Sequence, residues 1–546
     1  MQAPSIITQA LKDQDFKRCY GILGFPVIEL ANCIHNEGIQ FIGFRNEQGA
    51  SYSAGIEGYL TGRPGLCLTV SGPGFVNALA GLGNAKTNCW PMVLISGSSE
   101  AEDVGMGSFQ EFQQVEAALP FTKWSVRVTN LQSIPRVVQR AVRVSLASPP
   151  GPVYIEFPAD LLRSTTETPP KRLRLACKPA PVYPDPGLVQ KAAELIKQAK
   201  NPLVIIGKGT GDSEASVRKL IETTQLPFIA TPMGKGVVRD TLNLNVSAGR
   251  SAALKNADLI ILLGARLNWI LHYGLPPRFS PYLKVVNVNL DPLELHNNLT
   301  AEVGLCSDLS VTTEELVKHL GTWKYPQNTP WWSLLKSAMN KNLQASQKML
   351  EDPNFNYYHA ITAIKKHISE DAILVSEGAN TMDIARTVVP SFKSKARIDA
   401  GSFGTMGVAV PACITSSLVS GSQVVGILGD SSFGFSAMEI ETATRYNLDF
   451  IVFVINNNGV MMGTPKIPEN IREIMPNWLN PSTDYCKLGE ALGAKGYLAR
   501  NLKELEDLLP LVFGTKGVRV VNVLIDPNSG KKPQENFWLS RASPKL

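Results

Sequence analysis

Residues 429–459, GDSSFGFSAMEIETATRYNLDFIVFVINNNG, decide how the fold of this chain is interpreted. Two apolar runs, SQVVGILGD (422–430) and DFIVFVINNN (449–458), flank an amphipathic segment. We predict a strand, a helix over about 436–446 and a second, parallel strand, because short apolar strands separated by helices are typical of a covered parallel sheet. A right-handed crossover then brings both strand ends to one edge of the sheet.

Both strands end in side chains that bear oxygen atoms. Asp430 ends the first strand, and Asn457 lies 27 positions later, just before Gly459. Ligands of open α/β sheets bind at this edge. One carboxylate, one amide carbonyl and one backbone carbonyl suit a hard cation such as Mg²⁺, which takes its other ligands from phosphate and water. We therefore predict Asp430, Asn457 and Gly459 as metal ligands.

The loop after the first strand is built from small residues. Gly429, Ser431 and Ser432 offer backbone N–H groups and hydroxyls that can face a phosphate at the start of a helix. The alternative is an ordinary strand–helix–strand unit, because Asp and Asn are common in turns at strand ends. The combination of the 27-residue spacing with the NNNG ending favours the metal and diphosphate interpretation.

The whole chain alternates strand-like and helix-like segments, so we predict an α/β fold with three doubly wound parallel-sheet domains. The predicted domains are residues 1–168, 186–322 and 357–546. Residues 169–185 are rich in proline and basic residues, and residues 323–356 begin as a polar, tryptophan-containing connection. We predict both as linkers.

The composition excludes several classes of protein. At 546 residues the chain is too long for one core, and 44% hydrophobic residues can form large buried sheets. A net charge of +6 without a basic stripe argues against nucleic-acid binding. The eight cysteines form no CxxC pair, which is typical of reduced thiols in an intracellular protein. We find neither a secretory signal nor an apolar run of about 18 residues that would span a membrane.

The sequence ends in Pro544-Lys545-Leu546, which differs in one residue from the peroxisomal address Ser-Lys-Leu. This ending predicts recognition by the peroxisomal import receptor. The alternative is a chance polar tail on a cytoplasmic protein.

The stretch 429–459 resembles the thiamin diphosphate motif, which begins Gly-Asp-Gly and closes on paired asparagines; here Ser431 replaces the second glycine. The resemblance implies thiamin diphosphate and Mg²⁺ as cofactors. It also implies a partner acid, Glu47 in FRNEQGASYSAGIEGYLTGRPG (44–65), followed by the turn SGPG (71–74). In that family the glutamate hydrogen-bonds N1′ of the aminopyrimidine and promotes formation of the ylid.

Two further loops of the third domain match the family. In DAGSFGTMGVAVPA (399–412), the resemblance implies that the Gly404 carbonyl receives the aminopyrimidine N4′ and that Met406 wedges under the cofactor. In SEGANTMDIART (376–387) it places Gly378, Ala379 and Asn380 beside the diphosphate.

Essentially the full chain is most similar to 2-hydroxyacyl-CoA lyases and oxalyl-CoA decarboxylases. Phe109-Gln110-Glu111 stands where the decarboxylases carry Tyr-Glu-Glu, and this form resembles the lyases. The implied reaction uses the cofactor ylid to cleave the C1–C2 bond of a 2-hydroxyacyl-CoA, with or without a 3-methyl branch. It gives formyl-CoA and an aldehyde one carbon shorter, as in fatty acid α-oxidation. Gln110 would orient the substrate hydroxyl or thioester oxygen.

One departure from the family keeps other functions open. Val460-Met461 follows NNNG where relatives carry Ile-Tyr. The alternatives are an oxalyl-CoA decarboxylase, an acetolactate-synthase-like enzyme, and a catalytically idle protein that binds the cofactor or CoA.

The resemblance also implies a nucleotide site and an oligomer. The central domain of relatives can bind ADP or the nucleotide end of CoA, and Lys208, Arg266 and Asp291 fit this role; an ordinary strand–turn–helix is the alternative. The resemblance also implies that the tail ENFWLSR (535–541) closes over CoA, and an inert tail is the alternative. Because the family's glutamate and aspartate meet across two subunits, we expect a homodimer at minimum, and a tetramer is common.

Overall fold

Three parallel sheets organise the chain in a computed structural model that describes residues 1–532. The predicted tail segment 535–541 and the tripeptide 544–546 lie outside the described residues. Every strand pair within these sheets is parallel, and helices connect most of the strands. The predicted α/β fold of three parallel-sheet domains is therefore confirmed, while the domain boundaries stay a prediction.

The first sheet has six strands in the order β2-β1-β3-β4-β6-β5. Its strands are β1 Arg18–Gly21, β2 Gln40–Gly43, β3 Gly65–Thr69, β4 Met92–Ser98, β5 Ser125–Arg127 and β6 Pro152–Pro158. Its helices are α1 Ala3–Asp13, α2 Ile28–Asn36, α3 Glu47–Thr61, α4 Pro73–Asn88, α5 Gln114–Ala118, α6 Ile134–Leu146 and α7 Ala159–Arg163.

The central sheet has five strands in the order β11-β10-β9-β7-β8. Its strands are β7 Pro202–Ile206, β8 Phe228–Ala230, β9 Leu259–Leu263, β10 Lys284–Asn289 and β11 Val303–Cys306. Its helices are α8 Pro186–Gln198, α9 Glu214–Thr224, α10 Arg250–Asn256, α11 Leu309–Leu320 and α12 Pro330–Leu350.

The third sheet has six strands in the order β13-β12-β14-β15-β17-β16. Its strands are β12 Ile373–Glu377, β13 Arg397–Ile398, β14 Val424–Gly429, β15 Phe450–Asn456, β16 Lys495–Ala499 and β17 Val518–Leu524. Its helices are α13 Tyr357–Lys365, α14 Ala379–Val388, α15 Ala409–Val419, α16 Asp430–Gly434, α17 Glu439–Arg445, α18 Tyr485–Ala491 and α19 Leu502–Gly514.

Two sequence-based expectations differ from the structure in detail. The helix expected at 436–446 is the shorter α17, which begins at Glu439, because hydrogen bonds to the third preceding residue replace α-helical bonds between Phe435 and Ile440. A separate short helix, α16, precedes it at Asp430–Gly434. Residues 323–356, predicted as a linker, contain the 21-residue helix α12. Trp331, Trp332 and Leu335 of this helix are buried in the core of the central domain, which holds the segment there.

Small residues let the helices of the first domain approach closely. A Cβ atom on Gly58 of α3 would lie 1.8 Å from the Pro91 carbonyl oxygen, and one on Gly81 of α4 would lie 2.1 Å from Ser51 Oγ. The same helix α3 packs on α15 of the third domain, where Ser53 Oγ donates to the Pro411 carbonyl at 3.3 Å. These contacts position the start of α3, where Glu47 lies, against the rest of the molecule.

No helix among residues 1–532 is both long and apolar enough to cross a membrane.

The close packing of α3 on α4 makes Gly81 a test of the fold. Gly81→Ala forces its new methyl group into Ser51, and overpacking of this kind costs about 1–3 kcal/mol. We expect a lower midpoint of thermal unfolding, measured by circular dichroism. Gly514→Ala is the matched control, because no atom lies within 4 Å of its Cβ position. Equal midpoints for the two variants would contradict the packing.

Candidate active site

Asp430 lies at the carboxyl edge of the third sheet, next to the turn that follows β15. Because Gly429 of β14 pairs with Ile455 of β15, the ends of the two strands emerge side by side. Asp430 is only 2% exposed; Oδ2 accepts the Gly459 N–H at 3.0 Å and Oδ1 accepts the Ser431 N–H at 2.7 Å. Burial raises the pKa of Asp430 to about 6 although these N–H groups lower it. A bound cation would compensate this buried charge.

The NNNG turn has a conformation that leaves oxygen atoms available. Asn457 is 1% exposed and its Nδ2 donates to the Met461 carbonyl at 3.2 Å, so its Oδ1 is the atom that can face a cation. Asn458 has a positive φ of 61°, and its buried Oδ1 has no hydrogen-bond partner. A Cβ on Gly459 would lie 2.6 Å from the Met462 carbonyl oxygen, so only glycine fits. The structure therefore brings Asp430, Asn457 and Gly459 together.

The predicted diphosphate loops meet at the same edge. Gly378 has a φ of 102°, and a Cβ there would lie 3.3 Å from both the Gly429 nitrogen and Ser432 Oγ. Ser432 Oγ donates to the Gly429 carbonyl at 2.9 Å. Asn380 Nδ2 donates to the Met461 carbonyl at 3.1 Å, the same oxygen that Asn457 contacts. Ala379, the first residue of α14, directly follows Gly378 and is exposed.

Tyr357 contacts the loop that contains Asn380, and its position at the site is not predicted from the sequence. Its side chain is buried and hydrogen-bonds to the side chains of Asn380 and Thr381. Burial, and next the charge of Asp430, raise the pKa of Tyr357, so its hydroxyl stays neutral and can act as a donor. In the sequence, Tyr357 follows a common helix-capping asparagine, Asn356, and nothing there distinguishes it from a core tyrosine.

The third loop of the domain spans residues 399–408. Gly404 has a φ of 70° and is exposed, and Met406 is half-buried two residues later. The loop is held at its end by Glu377, whose carboxylate accepts the N–H groups of Gly407 and Ala409 at 2.5 and 2.7 Å. Gly404, Met406 and the diphosphate loops are thus carried by adjacent elements of one sheet.

Glu47 is the first residue of α3 and is 9% exposed. Asn77 Nδ2 donates to Glu47 Oε2 at 3.1 Å. A Cβ on Gly74 would lie 3.2 Å from Oε1, so the SGPG turn leaves room for this oxygen. Within the described part of this single chain, no hydrogen bond or ion pair joins Glu47 to Asp430 or to the loops around it.

Gln110 contacts the same turn, SGPG (71–74), from a distant part of the chain. Ser71 Oγ donates to Gln110 Oε1 at 3.2 Å, and a Cβ on Gly72 would lie 2.6 Å from the Gln110 carbonyl oxygen. Gln110 has a φ of 57° and is half-buried, whereas Phe109 is 69% exposed. The structure thus places Gln110 and Glu47 against two glycines, Gly72 and Gly74, of one short turn.

The three predicted nucleotide-binding residues line one cleft of about 140 Å³ at the carboxyl edge of the central sheet. Lys208 Nζ donates to the Asn88 carbonyl at 2.6 Å, and burial lowers the pKa of Lys208 to about 7. The Arg266 guanidinium donates to Cys89 Sγ at 2.7 Å. Asp291 Oδ1 caps a 3₁₀ turn through the Leu293 N–H at 3.0 Å. The cleft therefore combines a guanidinium, a buried amine of lowered pKa and a carboxylate against the first domain.

Comparison with protein-family models finds three matches in chain order. They are the thiamine pyrophosphate enzyme N-terminal TPP binding domain (residues 1–117), central domain (189–316) and C-terminal TPP binding domain (377–523).

Among curated proteins, the chain is 42% identical to 2-hydroxyacyl-CoA lyase 1 of Homo sapiens, over 98% of this chain and 97% of the relative. It is 38% identical to 2-hydroxyacyl-CoA lyase of Oryza sativa subsp. japonica, over 96% of this chain and 95% of that protein. It is 37% identical to oxalyl-CoA decarboxylase of Escherichia coli (strain K12), over 99% of this chain and 97% of that protein.

The buried carboxylate of Asp430 gives a pH-dependent prediction. Only the ionised form binds a cation, so Mg²⁺ affinity in the presence of thiamin diphosphate should rise as the pH increases through about 6. Asp430→Asn should weaken this affinity at least about tenfold, as loss of even an outer partner of a metal site does. Calorimetric titration with Mg²⁺ measures both effects. Asp371→Asn, at an exposed site, is the control, and equal Mg²⁺ affinities for Asp430→Asn and wild type would contradict the assignment.

Proposed function

The chain belongs to the thiamine pyrophosphate (thiamin diphosphate) enzymes, in the group of 2-hydroxyacyl-CoA lyases and oxalyl-CoA decarboxylases, and we propose that it cleaves the C1–C2 bond of a 2-hydroxyacyl-CoA. The observation that carries this proposal is the turn shared by Glu47 and Gln110. It presents an amide and no second carboxylate to the substrate, and the neighbouring Phe109 has no hydroxyl. The amide can donate a hydrogen bond to the uncharged hydroxyl or thioester oxygen of a 2-hydroxyacyl-CoA.

The reaction needs no oxidant or reductant. A 2-hydroxyacyl-CoA, R–CHOH–CO–S–CoA, contains the same atoms as the aldehyde R–CHO plus formyl-CoA. The C1–C2 bond breaks, its electron pair stays on C1 and receives a proton there, and the C2 hydroxyl loses a proton as the aldehyde forms. The protein must therefore hold the thioester, remove one proton and return one.

Thiamin diphosphate, when bound, supplies the nucleophilic carbon and an electron sink for this cleavage. The residues at the edge of the third sheet fit its charged end. Asp430, Asn457 and Gly459 hold Mg²⁺, and buried Asp430 needs such a countercharge. The diphosphate would be held by small residues, backbone N–H groups and hydroxyls, supplied by Gly378, Ala379, Asn380, Gly429, Ser431, Ser432 and Tyr357.

The aminopyrimidine end of the cofactor would be held by the loop 399–408 and by the start of α3. Gly404 offers its carbonyl to the aminopyrimidine, and Met406 provides the apolar surface beneath. Glu47 would hold or give up a proton at Oε1, since Asn77 already donates to Oε2, and this oxygen would face the aminopyrimidine N1′. Among residues 1–532 no hydrogen bond or ion pair joins Glu47 to Asp430, which supports completion of each site by a second copy of the chain. We therefore propose a homodimer as the minimum active unit, and a dimer of dimers as its larger form.

Gln110 orients the substrate. Its Oε1 accepts a hydrogen bond from Ser71, which turns its amide NH₂ outward as a donor for the thioester or hydroxyl oxygen. The cleft of Lys208, Arg266 and Asp291 takes ADP or the nucleotide end of CoA, because the Arg266 guanidinium there can pair with a phosphate. Localisation to peroxisomes and α-oxidation of fatty acids as the setting are further proposals, and they rest on the tripeptide Pro544-Lys545-Leu546 and on the reaction type.

Oxalyl-CoA decarboxylation is the second candidate, since the Escherichia coli decarboxylase is 37% identical to this chain. Purified protein with Mg²⁺ and thiamin diphosphate is incubated with a 2-hydroxyacyl-CoA or with oxalyl-CoA. We expect formyl-CoA and an equal amount of aldehyde from the former, and little CO₂ from the latter. CO₂ as the main co-product would favour the decarboxylase.

The same assay tests the catalytic acid. Glu47→Gln should reduce turnover by about 100-fold or more, since proton transfer by a positioned group contributes this much. The matched control is Glu29→Gln, an exposed glutamate in the same domain. A wild-type protein that binds thiamin diphosphate but shows no turnover would indicate the catalytically idle alternative.

The role of Gln110 is tested by Gln110→Ala. Removing one hydrogen bond to the substrate should lower kcat/KM about tenfold, with little change in cofactor affinity. Gln113→Ala is the control, because this exposed glutamine lies three residues away, outside the turn. Unchanged lyase turnover in Gln110→Ala would remove this role.

A further inference from the structure

Glu377 ends β12, directly before Gly378, and its side chain is fully buried. Its carboxylate turns away from the loop that its own backbone begins. Oε1 accepts the Gly407 N–H at 2.5 Å and Oε2 accepts the Ala409 N–H at 2.7 Å, at the start of α15. A carboxylate that accepts two N–H groups at a helix N-terminus makes strong, directional bonds.

The loop that Glu377 holds cannot set its own conformation. Gly401, Gly404 and Gly407 all have a positive φ, of 62°, 70° and 84°. Such a loop has few side chains to pack and much conformational entropy to lose. Its other side-chain anchors include Asp399 Oδ1, which accepts the Gly401 N–H at 2.9 Å, and Asn88 Oδ1, which accepts the Ser402 N–H at 3.1 Å. In the middle of the loop, the Thr405 hydroxyl donates to Asn84 Oδ1 at 2.9 Å. Glu377 is the anchor on the far side of Gly404 and Met406.

The backbone of Glu377 belongs to the diphosphate side. Its carbonyl accepts a hydrogen bond from Ser432 Oγ at 3.3 Å, and the next residue, Gly378, packs against Gly429. We propose that Glu377 is a positioning residue that sets the spacing between the diphosphate loops and the aminopyrimidine loop. The inference rests on the proposed function, because thiamin diphosphate is the ligand that spans the two.

We call the two hydrogen bonds from Gly407 and Ala409 to Glu377 the clamp. The clamp needs an ionised carboxylate, because a protonated one keeps only one good acceptor oxygen. Burial raises the pKa of Glu377 to about 7, against the N–H groups of Gly407, Ala409 and Val408, which lower it. Two other titratable groups feel its charge, Tyr52 of α3 and Cys413 of α15, and burial raises the pKa of both, so they stay neutral. The ionised fraction of Glu377, and with it the clamp, therefore increases as the pH rises through about 7.

The test uses Glu377→Gln in the full chain. At about pH 8, calorimetric titration with thiamin diphosphate and Mg²⁺ should show about tenfold weaker affinity, as expected for one lost charge-assisted hydrogen bond. Hydrogen exchange should show lower protection at the Gly407 and Ala409 amides. Between about pH 8 and pH 6 the wild type should lose more affinity than the variant, because the titration of Asp430 affects both equally.

The control is Glu57→Gln on α3. It alters another buried carboxylate, which pairs with Arg18 of β1, and it should leave cofactor affinity unchanged. Equal affinity and equal amide protection in Glu377→Gln and wild type would overturn the proposal.

If Glu377→Gln does not fold, hydrogen exchange of the wild type decides. When the pH is lowered below about 7, the protection of the Gly407 and Ala409 amides should decrease relative to neighbouring amides. Constant protection would overturn the proposal. A wild-type chain that binds no thiamin diphosphate would overturn the proposed function and this inference together.

Discussion

The parallel pairing of β14 with β15 is the constraint on which the site depends. Both strands are buried at every position, and their register sets Gly429 opposite Ile455. This register delivers Asp430 and Asn457 to one point although 27 positions separate them. A slip by one residue would turn both side chains to the opposite face of the sheet, so the apolar core and the polar site specify the same alignment.

The crossover between these strands also reaches the first domain. Glu439 at the start of α17 accepts the N–H groups of Arg45 and Asn46 at about 3.1–3.2 Å, directly before Glu47. From the end of the same helix, Arg445 donates to the Gly43 carbonyl at 2.7 Å. The segment that begins at Asp430 therefore positions the helix that begins at Glu47. If two copies of the chain share each cofactor, this contact links the two sites of a dimer.

Much of this arrangement could be predicted because it follows from local patterns. Apolar runs with oxygen-bearing ends predicted the strands and the positions of Asp430 and Asn457, and the glycines of the loops predicted close backbone approach. Tyr357 could not be found, because a buried tyrosine after a helix cap is common in any core. Glu377 was not assigned, because which loop a strand-end carboxylate contacts depends on packing between distant segments. The tryptophans of 331–332 read as part of a linker, since burial against the central sheet is decided by tertiary contacts.

The central claim is cleavage between C1 and C2 by this site. The most direct measurement supplies a 2-hydroxyacyl-CoA labelled with ¹³C at C1, together with Mg²⁺ and thiamin diphosphate, and follows the label by NMR. We expect all of the label in formyl-CoA, beside an unlabelled aldehyde. We expect no product without thiamin diphosphate. Label in CO₂ or in the aldehyde, or turnover without the cofactor, would contradict this claim.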